Sequence, residues 1–475
     1  MFLARLDGSD ALDTNATTPI YRQIYARISR AIAAGILKPG DRIPSARALT
    51  RELGVARGTV DAAYSLLAAE GYVQAQGQAG TVVTPGLRLQ PTLPPIAASN
   101  PATTPHVETN VHVARLIPFE MGLPALDAFP KEIWRRLGTR YLRSVQAEDL
   151  TYPCAQGALR LRTQIAAYLQ VSRGIACSPA QVFITSGYQQ TLEMTMRALL
   201  KAGDRVWLED PGYPPTRALL QHAQMNTVPV PVDDDGLLVR YGIKAAPDAK
   251  AAVVTPAHQS PLCVSLSLPR RLELLDWASK SRSWIIEDDY DGEYRYVSRP
   301  LPALKSLDRD GRVIYAGTFS KVLFPGLRLA YVVVPENEIE RFQQAGQVFS
   351  AGAPTASQAI VTAFIADGHF GRHIQRMRKL YGERRDATAA GLSAVLGSQA
   401  RIAPQPGGMH LVAHLRSPLQ DTVIAKRMRD NGLHAQALTD WSSEARAGSA
   451  LLLNFTNVDA QATAERLAKR ILKLL

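Results

Sequence analysis

Between Pro85 and Pro118, ends included, seven prolines are spread among alanine, threonine and asparagine. Proline fixes φ and removes a backbone donor, so such a stretch neither continues a helix nor pairs inside a sheet. It reads as an extended, semi-stiff linker. The chain of 475 residues is thereby split into parts that must each bury a core of their own, and its length agrees with two to four domains. The patterns on either side place a small domain at 14–85, the linker at 86–116 and a larger unit at 117–475.

Before the linker the pattern is helical. Thr18-Pro19 is a cap and proline at a helix start. Ile20, Ile24, Ile28 and Ile32 recur every fourth residue, which puts them on one helical face. The run stops at Gly35. Pro39 to Ser45 makes a turn and a new cap, and a short helix follows to Leu53. Gly54-Val55 turns the chain, and a second helix runs from Ala56 to Glu70. Gly71 to Gln74 begins a strand, Gly77–Gly80 a turn, and Thr81 to Val83 a return strand. This is the layout of a winged helix-turn-helix, whose second helix enters the major groove. Arg57 and Thr59 lie at the N-terminal end of that helix, where base edges are read. Arg42 and Arg47 are placed for phosphates, with Ser45 at the helix start, and the tip ending in Gly80 can approach the backbone closely. A small helical dimerisation module with a solvated basic face would share the pattern.

The larger unit alternates strands and helices. Arg205–Glu209, Ala251–Thr255, Trp284–Glu287, Val313–Ala316 and Leu329–Val334 read as strands, which implies a mostly parallel sheet covered on both faces. From about 351 to 475 a helix-rich stretch and a strand near Gly407 to Leu411 suggest a smaller C-terminal α/β subdomain.

Four segments of this unit carry chemistry. Lys321 follows a strand inside a turn of small residues, and Arg328 comes seven positions later. An aldehyde cofactor with a phosphate needs that pair, an amine for the Schiff base and a cation for the phosphate. A surface lysine near a helical arginine looks alike. Trp284 to Tyr290 reads as a buried strand ending in carboxylates and a phenol, the end at which ligand groups gather in open α/β sheets. Asp288 can keep a pyridine nitrogen protonated and Tyr290 can meet a ring hydroxyl; a helix cap or turn made by Asp288 and Asp289 is the alternative. At Ser186-Gly187 a strand gives way to a helix, a ready phosphate site. The turn Asp210-Pro211-Gly212 presents Tyr213 as a flat face.

In order and spacing these segments resemble the fold-type I pyridoxal-phosphate enzymes, and 117–475 resembles an aminotransferase of class I/II. The resemblance implies pyridoxal 5'-phosphate as cofactor. It makes Lys321 the Schiff-base lysine, pairs Asp288 with the ring nitrogen and Tyr290 with the ring hydroxyl, and stacks Tyr213 on the ring. Gly187, Tyr188 and Gln189 would meet the phosphate with Thr318 and Arg328. Tyr152 would reach the partner subunit's phosphate in a head-to-tail homodimer. Gln259 lies in the turn expected under the cofactor, where Cys263 stands in place of a glycine. Leu452 stands where an arginine commonly binds the substrate carboxylate. The first segment, through Ile43-Pro44-Ser45-Ala46-Arg47 and Leu53 to Val60, resembles the GntR family, with Ala56 where a capping serine is usual. Together the two halves have the architecture of MocR/GabR regulators. That resemblance implies that an arginine near Arg217 contacts an effector's distal acid; a helix-surface arginine is the alternative.

The formal net charge is +12. From Thr18 to Pro85 eight basic residues face four acidic ones, so most of the excess lies elsewhere; it favours nucleic acid without proving a specific contact. Cys154, Cys177 and Cys263 make no metal spacing and suit a reducing cytoplasm. No signal-peptide core and no membrane span stand out. The expectation is a cytoplasmic, double-stranded-DNA-binding transcriptional regulator that senses an amine, an amino compound or the vitamin itself through Lys321. A working aminotransferase with an accessory DNA-binding domain is the alternative, and a half-reaction could persist in the regulator.

Overall fold

The structure is a computed structural model that describes residues 2–7, 12–13, 16, 18–76, 80–87, 116–296, 302–349, 352–402, 404–444 and 448–475. Most of the expected linker and the tip residues 77–79 lie outside these. The backbone forms two compact units, divided between residues 111 and 112.

In the first unit α1 (Phe2–Asp7) and α2 (Ile20–Ala33) precede β1 (Arg42–Ile43), α3 (Ala46–Leu53), α4 (Arg57–Ala69), β2 (Val73–Ala75) and β3 (Thr81–Val83). Ile24, Ile28 and Ile32 are fully buried with Leu49, Val60 and Leu67. Each such side chain contributes about 1.5–3 kcal/mol of burial. Pro19 takes the cap position itself, so α2 starts one residue later than the Thr18 cap implied. Ser45 caps α3 by accepting from Ala48 N at 3.2 Å, and Gly54 ends it at φ +64. Ala56 caps α4 without any side-chain bond. The expected hairpin is a three-stranded antiparallel sheet in the order β1-β3-β2. Two residues of β1 were too short a run to show a strand period.

The second unit begins with α5 (Lys131–Ser144), α6 (Leu159–Arg173), β4 (Val182–Thr185) and α7 (Tyr188–Leu199). Next come β5 (Arg205–Asp210), α8 (Pro214–His222), β6 (Asn226–Asp233), β7 (Gly236–Leu237), α9 (Val239–Ala245), β8 (Ala251–Val254) and α10 (Leu268–Ser281). Then follow β9 (Trp284–Asp289), β10 (Val313–Thr318), β11 (Ala330–Val333), α11 (Ile339–Phe349), α12 (Thr355–Ala366) and α13 (His369–Leu396). The large sheet has eight strands in the order β4-β11-β10-β9-β8-β5-β6-β7. The run from β10 to β6 is parallel, while β11 is antiparallel to both its neighbours. Buried runs such as Val182–Thr185 and Ala251–Val254 are the sign of strands covered on both faces.

The last stretch is β12 (Ala400–Ile402), β13 (His410–Leu415), α14 (Asp421–Asp430), β14 (Gln436–Ala437), β15 (Ala450–Asn454) and α15 (Gln461–Leu472). Its four-stranded sheet runs β12-β13-β15-β14, all antiparallel. The apolar cores divide inside α13 rather than near residue 351. Phe370 and Ile374 pack with Leu161, Phe319 and Val361, whereas Met377, Tyr381 and Leu392 pack with Phe119, Leu411 and Leu453. A helix running through both cores carries no break in its sequence to mark the boundary. Among the described residues no helix is long and apolar enough to cross a membrane.

Candidate functional site

Asp288 and Lys321 come together at the carboxyl ends of the parallel strands β9 and β10. Lys321 lies just past β10, and its Nζ donates to the carbonyl of Gly122 at 2.9 Å. Gly122 has φ +79, a backbone that favours glycine, and a Cβ there would stand 2.3 Å from that nitrogen. Burial lowers the pKa of the Lys321 ammonium against the pull of Asp291 and Asp288. An amine held toward its neutral form is a better nucleophile.

Asp288 sits near the end of β9, opposite Ala316 of β10. Burial, then the charge of Asp289, push its carboxyl up to about 8, although Lys321 and Tyr188 pull the other way. Behind it Asp289 meets Arg173 Nε at 2.5 Å and accepts from Tyr315 Oη at 2.6 Å. Glu293 meets the same guanidinium at 3.0 Å. Arg173, Asp289 and Glu293 are all buried.

On the other flank Gly187 caps the start of α7 at φ +113. A Cβ there would be 2.8 Å from Arg328 Nη2. The guanidinium thus packs against Gly187, the residue before the first turn of α7, and a cation beside a helix start suits an anion. Thr318 closes β10, and its Oγ1 accepts from Ser320 N at 3.1 Å. Tyr188 Oη is 2.9 Å from Thr216 Oγ1. The Tyr213 ring lies 6.3 Å from that of Tyr188 and 5.6 Å from that of Trp441. It remains 38% exposed, an open flat face.

Tyr290 Oη is 3.0 Å from His258 Nδ1, which also faces Asp291 at 3.1 Å. Gln259 is turned elsewhere. Its side-chain nitrogen faces the carbonyls of Pro211 at 2.9 Å and Ser260 at 3.0 Å, and its oxygen accepts from Leu262 N at 2.9 Å. Its amide therefore closes its own turn. Cys263 takes φ +64, the conformation that explains why a glycine was expected there. On the far side of the lysine turn, His373 of α13 faces the carbonyl of Val322 at 2.9 Å. Burial brings its pKa down to about 4, so the neutral ring donates that bond.

Arg217 is on α8, and its Nη2 donates to the carbonyl of Trp441 at 2.6 Å. Its Nε is buried without a hydrogen-bond partner. Leu452 is fully buried in an apolar cluster with Val412, Leu438 and Trp441. Tyr152 stands apart, 96% exposed.

In the first unit Arg42, Ser45, Arg47, Arg57 and Gly80 are exposed and Thr59 is half-buried. Arg57 is tied only loosely, at 3.4 Å from Asp61 one turn along. Gly80 has φ +85 at the start of the return strand. Tyr64 of α4 donates to the carbonyl of Pro44 at 2.7 Å and fixes the helix against the preceding turn.

Sequence reasoning missed Gly122, Asp291, His410 and Trp441. The signal for Asp291 was present in the acid that follows Tyr290. The others come from segments far along the chain, and only the fold brings them together.

A model of the bacterial regulatory proteins of the gntR family matches residues 20–83, and one of aminotransferase class I and II matches residues 128–470. Fold and site therefore define a DNA-binding winged helix joined to an aminotransferase-like unit. The chain is 35% identical to "Probable rhizopine catabolism regulatory protein MocR" of Rhizobium meliloti, over 96% of this chain and 93% of that one. It is 34% identical to the "HTH-type pyridoxine biosynthesis transcriptional regulator PdxR" of Corynebacterium glutamicum, covering 94% of each. A solved Pyrococcus horikoshii kynurenine aminotransferase aligns with 76% of this chain and 92% of its own, at 28% identity and a TM-score of 0.68. The chain belongs to the MocR-type regulators of the GntR family.

Proposed function

We infer that this regulator holds pyridoxal phosphate at Lys321 and uses it to sense an amine, an amino compound or the cofactor itself. The observation that carries the reading is the meeting of three features. They are a buried lysine with a lowered pKa, a buried acid that burial leaves nearly neutral, and an arginine packed against the glycine that caps α7. The residues fit the cofactor. Asp288 lacks a cation strong enough to ionise it fully, and a protonated ring nitrogen would supply one. Arg328 and the first N–H groups of α7 would hold the phosphate, and Tyr213 would cover the ring. When bound, the aldehyde supplies a Schiff base and a visible absorbance band.

The exposed Tyr152 is assigned to the partner's phosphate site in a head-to-tail homodimer, working in the cytoplasm. Two readers in one dimer would engage paired half-sites on double-stranded DNA. Effector exchange at Lys321 shifts the population of reader arrangements. Arg217 is assigned to the effector's distal acid, because its Nε is buried and unpartnered while Leu452 offers no charge. Effectors would then be ω-amino acids or simple amines rather than α-amino acids. The test is the visible spectrum of purified protein. Lys321→Ala should lose the band with the fold intact, and an unchanged spectrum would defeat the assignment. Amine panels should shift the band, and Arg217→Ala should weaken only acid-bearing effectors.

The completeness of the lysine, acid and phosphate positions favours a second reading, a working aminotransferase. Sustained turnover of common α-amino acids with a keto acid, unaffected by Arg217→Ala, would promote it.

A further inference from the structure

We propose that Cys263, His410 and His258 are positioning residues that hold the Tyr290 hydroxyl as a hydrogen-bond donor into the cleft; this rests on the cofactor reading above. Cys263 adopts a left-handed backbone, φ +64, that residues with a Cβ rarely take. Its buried Sγ lies 3.3 Å from His410 Nε2. The same Nε2 is 2.9 Å from the carbonyl of Pro261. A carbonyl only accepts, so His410 Nε2 carries a proton and donates it there, and Cys263 Sγ lies 3.6 Å from the same carbonyl.

His258 is pinned in the same way. Its Nδ1 is 3.1 and 3.2 Å from the two oxygens of Asp291 and 3.0 Å from Tyr290 Oη. The carboxylate selects the Nδ1–H tautomer. Tyr290 oxygen then meets a donor on that side and cannot donate back. Its own proton must point away from His258, toward the cleft and Ser260. The ring packs against Gly408 in space a side chain there would fill, since a Cβ on Gly408 would lie 2.0 Å from His258 Cε1. His258 Nε2 is buried and has no hydrogen-bond partner.

The groups facing Cys263 are His410 from β13 and His258 from the turn, with Asp291, Tyr290 and Tyr296 around them. Burial raises the thiol, but His410 and His258 outweigh it and bring it down to about 6. Burial opposes charge on His258, and Asp291 and Cys263 outweigh that in turn. The thiol proton passes to His258 Nε2, the nitrogen that the Nδ1–H tautomer leaves open, giving a thiolate and an imidazolium with no change in net charge. An imidazolium cannot become the acceptor that would draw the Tyr290 proton away. Among the described residues no three His, Cys, Asp or Glu side chains are set to hold a metal.

The test compares protein loaded with pyridoxal phosphate as wild type, Cys263→Gly, Cys263→Ser and Tyr290→Phe. Glycine relieves the backbone at this position, so that variant should fold. The pH midpoint of the visible band should move by about half a unit or more in both Cys263 variants, in the same direction as in Tyr290→Phe. In the cofactor-free protein, the ultraviolet thiolate absorbance at neutral pH should be larger in wild type than in Cys263→Ser. Unmoved midpoints in a coloured protein, or no thiolate difference, would overturn the proposal and leave the cofactor reading standing. A wild type that takes up no pyridoxal phosphate would sink the cofactor reading, and the donor role with it.

Discussion

Arg57 and Arg173 are each paired with a carboxylate, but in opposite settings. The Arg57–Asp61 pair spans 3.4 Å with side chains 60% and 49% exposed, whereas Arg173 and Asp289 meet at 2.5 Å with both 2% exposed. Water screens the first pair, so it contributes at most about 1 kcal/mol and can be exchanged for another anion. The second has no such freedom. Its worth is to fix Asp289 in place, and the charge of Asp289 helps hold Asp288 near neutrality. The reader keeps its cations available, while the cleft locks its charges so that one of them changes the chemistry of its neighbour.

The contrast can be broken most directly at the buried pair. Asp289→Asn should destabilise the larger unit by about 3–5 kcal/mol, because Arg173 loses one of two anions in a water-free site. Asp61→Ala should stay within about 0.5 kcal/mol. Denaturant unfolding of the full chain measures both, and equal losses would erase the distinction.

The next effect is a dependence on pH. The Asp288 carboxyl is raised in the folded state to about 8, from 3.8. The folded protein therefore holds a proton that the unfolded chain releases, and this contribution to stability is lost as pH rises between those values. In cofactor-free protein, the difference in stability between wild type and Asp288→Asn should grow less favourable to wild type across that window. A pH-independent difference would show that Asp288 is not perturbed.

On the exposed side, Arg57→Ala should weaken binding to the natural operator by about 1–3 kcal/mol and relax specificity at one position. Arg47→Ala should weaken all sequences alike and lower the salt slope by about 1. Filter or fluorescence titrations at several salt concentrations separate these outcomes. Smallest is Ala56→Ser, which should stabilise the reader by about 1 kcal/mol by capping α4, seen as a raised midpoint for that unit alone.

These differences also decide what the sequence could reveal. The reader was legible almost throughout, since its core follows a four-residue isoleucine period and its turns fall at Gly54 and Gly80. Lys321, Asp288 and Arg328 were legible because strand ends and a small-residue turn mark them locally. Gly122 and Trp441 were not. Each contributes a backbone carbonyl, to Lys321 and to Arg217, and any residue type can supply one. The direction of Gln259 was also hidden, because its partners at Pro211 and Leu262 depend on how two turns meet. The small sheet was seen only in part, as β12 and β14 have three and two residues.

With 28 residues, α13 is a rod about 42 Å long. It behaves as a shaft seated in two bearings, with Phe370 and Ile374 in one and Tyr381 and Leu392 in the other. His373, in the first bearing, is bolted to the carbonyl next to Lys321. A displacement of the lysine turn would therefore meet both cores through one continuous helix. The stiffness of a single helix sets how far the two sheets can slip out of step.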